Sequence, residues 1–152
     1  AHEADEEDAH GTKVRSKSAL PISRAEAVAT FAPMKIAEAG EGKSLRDWMR
    51  LPWRIYADDA NWVPHLKQDI EKVFDPAVNK LLRPRPDRKA GAVKRWVLYD
   101  DTGKAAGRIA AFIDPKTAWT DKQQPTGGCG FFECIDDQAA ANLLFDTARE
   151  FL

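Results

Sequence analysis

Residues 95–114 read RWVLYDDTGKAAGRIAAFID, and the spacing of their apolar positions decides the fold. Trp96 and Leu98 alternate with Val97 and Tyr99, residues 100–103 supply turn chemistry, and a second apolar run continues to Ile113. That pattern predicts a β-hairpin. Both arms are apolar on both faces, whereas a sheet with one wet face would alternate apolar with polar. Helices must therefore cover each side, which predicts a mixed α and β fold, α/β (α+β) in class.

Working towards the N-terminus, EGKSLRDWMRLPWRIYADDANWVPHLKQDIEKVFDP carries two helical patterns. Ser44 and Asp47 have the spacing of a cap, Leu45, Trp48 and Met49 follow at i, i+3, i+4, and Pro52 is expected to interrupt the pattern, giving a kinked helix or a helix pair. Pro64 suits a first helical turn, with Leu66, Ile70, Val73 and Phe74 on one apolar face up to about Asp75. His65 is expected to be a partly buried residue of that helix. MKIAEA, residues 34–39, alternates as a first strand. Before it, AHEADEEDAH reads as a solvated acidic tail, and SRAEAVATF has capping-box spacing at Ser23 and Glu26. The expected division is an extension over residues 1–33 and a domain over residues 34–152.

Towards the C-terminus, residues 128–145 read GCGFFECIDDQAAANLLF: a third sheet strand over residues 129–135, then a helix beginning near Gln138. Its stripe of Ala140, Leu143, Leu144, Thr147, Ala148 and Phe151 runs to Leu152 with no stop signal. The expectation is a chain truncated within its last helix, the N-terminal part of a longer protein whose missing C-terminal half is its first partner. Trp96, Leu98, Ile109, Phe112 and Phe131 are the expected core.

Charge and composition exclude several functions. No apolar run approaches the roughly 18 residues of a membrane span, and three scattered histidines without a C-x-x-C pair argue against a metal site. Cys129 and Cys134 are five positions apart, so regular alternation would send them to opposite faces. Reduced cysteines suggest a cytoplasmic protein. Residues 80–95, KLLRPRPDRKAGAVKR, hold seven basic residues against Asp87 and read as a mobile solubilising loop. Without aromatic residues between the charges, nucleic acid is an unlikely partner.

The order strand, two helices, hairpin, strand, helix resembles the first half of the GCN5-related N-acetyltransferase (GNAT) fold. More specifically, LPWRIYADDANWVP (51–64), FDPAVN (74–79), GKAAGRIAAFID (103–114) and GFFECIDD (130–137) are similar to a family of large bacterial GNAT-like proteins. The resemblance implies an acyl-CoA N-acyltransferase, with acetyl-CoA or another acyl-CoA lying against the fourth strand and an amine as acceptor.

In that family a loop of pattern Q/R-x-x-G-x-G/A wraps the CoA pyrophosphate with backbone N–H groups at a helix start, where peptide dipoles attract anions. The matching backbone here is Ile135, Asp136, Asp137, Gln138, Ala139 and Ala140. Ile135 takes the Gln/Arg position, Gln138 the first glycine and Ala140 the last position, so only the last fits. Starting at Gln138 instead puts Ala141 at the glycine and Leu143 at the end. The loop is degenerate in either register, and no cofactor is expected on this chain alone. Asp136 and Asp137 favour capping over phosphate binding. Glu133 matches a strand glutamate that some relatives use as general base, although a carboxylate between apolar neighbours favours pairing with Arg108 or another cation. The alternative to an acyltransferase is a GNAT-like module that binds a ligand or a protein without catalysis.

Overall fold

The computed structural model describes residues 33–84, 86, 90–118 and 126–152. The acidic tail, SRAEAVATF and part of the basic segment lie outside the described residues. The hairpin forms as its sequence demands: β2 (Ala92–Tyr99) turns into β3 (Ala105–Ile113). Asp100 organises the turn, its Oδ1 accepting from the backbone N–H groups of Thr102 (3.0 Å) and Lys104 (2.9 Å), while Gly103 takes a positive φ of 77°. β1 (Lys35–Glu38) pairs with β2, and β4 (Gly128–Cys134) pairs with β3. The sheet is antiparallel throughout, in the order β1-β2-β3-β4.

Each face has its own helix and its own core, as two-sided apolar strands require. α3 (Gln138–Phe151) covers Trp96, Leu98, Ile109 and Ala111 with Ala140, Leu144 and Ala148. On the opposite face α1 (Gly42–Ile55) and α2 (Lys67–Phe74) set Trp48, Met49 and Ile70 against Val97 and Ala110. Among the described residues β4 is an edge strand.

Several expectations are corrected. Of the kinked helix and the helix pair expected around Pro52, the pair does not form: α1 runs through Pro52 to Ile55 as one helix, with Pro52 buried inside it. A proline at position i leaves the carbonyl of residue i−4 without its donor. Here that carbonyl belongs to Trp48, and Arg108 supplies the missing donor at 3.0 Å. Ser44 is not the cap: the N-cap is Glu41, and Ser44 Oγ donates to the carbonyls of Glu38 and Glu41.

α2 begins at Lys67, so Pro64 and His65 precede it, His65 is exposed rather than partly buried, and Leu66 and Val73 stay largely in solvent. Only Ile70 and Phe74 of the expected face reach the core. The basic segment is shorter as a loop than expected, because Lys80–Leu82 forms a 3-10 turn, η1, and Lys94 and Arg95 belong to β2. Phe112 is exposed by 47%, while Trp96, Leu98 and Ile109 are buried and Phe131 packs partly buried against the α1 face.

The register of β4 accounts for a further correction. Arg108 faces Glu133 and Ala110 faces Gly130, so Ile109 alone stands opposite two residues, Phe131 and Phe132. This is a β-bulge, and Phe131 sits in it at φ 52°. The extra residue shifts the alternation by one. Cys129 therefore lies opposite Ala111 and Cys134 opposite Gly107, on the same face of the sheet rather than on opposite faces. Both are free thiols, Cys129 exposed and Cys134 packed against the α3 core.

Candidate functional site

β4 runs through its bulge into the start of α3, and the residues singled out in sequence gather there. Ile135 N–H donates to the Ala106 carbonyl at 2.9 Å and its side chain packs on the α3 core, so the turn is anchored to the neighbouring strand. Asp137 is the N-cap of α3: its Oδ1 accepts from the Ala140 N–H at 2.9 Å and its carbonyl accepts from the Ala141 N–H at 3.1 Å. The last of these is the first bond of the helix itself; of the four N–H groups a helix start leaves without an intrahelical partner, that of Ala140 goes to the Asp137 carboxylate and that of Asp137 to the Ile135 carbonyl at 2.8 Å. The N–H groups of Gln138 and Ala139 keep no protein partner among the described residues. Asp136 is exposed beside them, and Gln138 donates its side-chain amide to Asn142. Ala139 is exposed, and Ala140 is buried under the sheet.

A second consequence of these two carboxylates falls on Cys134. Burial, and then the charges of Asp137 and Asp136, push its thiol above the ordinary range, because a thiolate there would be poorly solvated and close to two anions.

Glu133 lies one residue pair from the bulge on the α1 face, directly opposite Arg108. The two form a fork-to-fork pair, Arg108 Nε to Oε2 at 2.5 Å and Nη2 to Oε1 at 3.1 Å. Only 1% of the Arg108 side chain and 15% of the Glu133 side chain is exposed. Arg108 also donates through Nη1 to the Trp48 carbonyl and stacks 4.4 Å from the Trp48 ring centroid. Trp48 in turn donates its indole N–H to the Ile109 carbonyl at 3.2 Å and meets Phe74 and Phe131 at 5.4 Å each. One guanidinium therefore joins β4, β3 and the proline break of α1.

Of the residues marked in sequence, the chain brings Asp137, Gln138 and Ala140 to the helix start and turns Glu133 to the opposite face of the sheet. Sequence reading missed the link from Arg108 to the Trp48 carbonyl. The signal was present: Pro52 follows Trp48 by four positions, so a buried carbonyl had to find a donor from outside the helix. The bulge also had a signal, since the run Gly130-Phe131-Phe132 breaks the alternation that Glu133 and Cys134 restore.

The chain is 28% identical over 123 residues to a protein of Caulobacter vibrioides (strain NA1000 / CB15N) named bacterial ceramide synthase. The match takes in 81% of this chain but 30% of that relative, so the chain spans less than a third of its length. No protein-family model matches the chain. No solved structure matches it either.

Proposed function

We propose that the full-length product carrying this chain transfers an acyl group from an acyl-CoA thioester to an amine. The observation that carries this reading is the similarity to a protein named as a ceramide synthase, because a ceramide is the amide of a fatty acid and a long-chain amino alcohol. The resemblance of GKAAGRIAAFID and GFFECIDD to GNAT-like proteins points to the same chemistry. In such a reaction the amine nitrogen attacks the thioester carbonyl, the carbon–sulfur bond breaks, and the proton lost by the amine ends on the departing thiolate.

This chain contributes the antiparallel half-sheet, its bulged edge strand β4 and the start of α3. Glu133 acts here as the counter-ion that holds Arg108, and through it Trp48, in place; a general base would need a carboxylate free to take a proton. The diphosphate of CoA is held by groups other than the first turn of α3. Incubating the full-length product with a long-chain acyl-CoA and a long-chain amino alcohol should release free thiol and form the amide, read by mass spectrometry. Thiol release without amide, or neither, overturns the reading.

A second reading has one specific observation in its favour. Asp137 fills the helix start and Arg108 occupies both oxygens of Glu133, an arrangement suited to a scaffold that has given up CoA binding and serves as a binding module. Absence of turnover together with saturable binding of a ligand would favour it.

A further inference from the structure

A cavity of about 190 Å³ lies on the α1 face of the sheet, beside the bulge and away from the α3 start. Phe74 of α2, Leu81 of η1, Val93 of β2, Ala110 and Phe112 of β3, and Phe131 of β4 form its walls. The two polar residues on the lining offer it little. Asn79 donates to the Val73 carbonyl at 2.7 Å and accepts from the Leu81 N–H at 3.0 Å, and Asp114 accepts from the Lys116 N–H at 3.0 Å. Whatever enters the cavity must be apolar, since a polar group there would lose its hydrogen bonds to water without replacement.

Size and rim narrow the occupant further. An engineered apolar cavity of about 150 Å³ in another protein stays dry and takes benzene, so this one holds a single ring or a short length of alkyl chain. Its rim is open: Val73, Leu81 and Phe112 are exposed by 42%, 43% and 47%, a wet apolar edge along which a longer chain can continue. The Phe112 ring is held over the edge strand by Gly128, where an added Cβ would come within 2.6 Å of it. An apolar cleft that opens along an apolar rim suits the tail of a long-chain amphiphile, with its polar head left in water.

We infer that this cavity binds the alkyl chain of such an amphiphile. Assigning that chain to a substrate, either the fatty acyl thioester or the long-chain amine, rests on the acyl-transfer reading; the binding itself does not.

The test is calorimetric titration of the 152-residue chain with dodecanoate, dodecanoyl-CoA and dodecylamine, each below its micelle concentration, with octanoate as the short comparison. Dodecanoate should bind saturably in the micromolar range, and octanoate about tenfold more weakly. Tighter binding of dodecanoyl-CoA than of dodecylamine assigns the chain to the acyl donor, and the reverse order to the acceptor. Val93→Phe fills the cavity from its strand wall and should weaken dodecanoate at least tenfold. Phe112→Ser acts at an exposed position, leaves the core intact and should weaken it several-fold. No saturable binding, or affinity unchanged in Phe112→Ser and in a folded Val93→Phe, overturns the inference. Amide formation by the full-length product with no dodecanoate binding here would remove the cavity and leave the acyl-transfer reading standing, while binding without turnover would do the opposite.

Discussion

Glu133 and Arg108 show how one side chain can serve several elements. A guanidinium with 1% exposure is tolerable only because a carboxylate, a carbonyl and an indole face all meet it. Removing the carboxylate in Glu133→Ala should cost about 3 kcal/mol, at the low end for a broken buried pair because Glu133 keeps some contact with water. Glu133→Gln retains one acceptor and should cost roughly half as much. Chemical denaturation of the two variants checks this order, and equal stability with wild type would mean that the pair is not holding the core. At the two thiols, exposure and charge act together. Cys129 should be alkylated by iodoacetamide well before Cys134, whose thiol is pushed up by burial and by Asp137 and Asp136. Peptide mass mapping over time reads the order, and faster labelling of Cys134 would contradict its packing under α3.

Among the elements, the hairpin was fully legible because its turn chemistry and two-sided apolar pattern act over a few residues. α3 was legible for the same reason, and so was its cap. Asp137→Ala should destabilise the chain by about 1 kcal/mol, measured as a lowered denaturation midpoint with an unchanged slope. An unchanged midpoint would mean that the Ala140 N–H finds water as easily as a carboxylate. The limits of α1 and α2 were not legible. Proline at position 52 breaks a local rule, and only a residue 56 positions further on restores the lost hydrogen bond. Leu66 looks helical by spacing yet stays outside α2 as its extended N-cap, and of that face Ile70 and Phe74 reach the core. The bulge in β4 was missed since its place is set by pairing with β3, and with it went the facing of Cys129.

At the scale of the whole molecule, two separate cores on one antiparallel sheet leave three surfaces of interest. The α3 start combines a capped N-terminus with exposed acid at Asp136. The α1 face carries an apolar cavity with an open apolar rim. The outer edge of β4 is unpaired among the described residues. No helix among the described residues is long and apolar enough to cross a membrane. The similarity to a ceramide synthase extends over much of this chain and a smaller part of the relative, so the activity proposed belongs to the full-length product. The start of α3 is occupied by the chain's own Asp137 carboxylate.

The most direct test of that occupancy is calorimetric titration of the 152-residue chain with acetyl-CoA, whose acyl group is too short to draw on the apolar cavity. The capped start of α3 and the charge of Asp136 should leave no saturable heat at micromolar ligand, in wild type and in Glu133→Gln alike. Micromolar binding by the unmodified chain, about −8 kcal/mol, that is weakened by substitution at Gln138 or Ala139 would contradict it, because the pyrophosphate would then be held where Asp137 is said to stand.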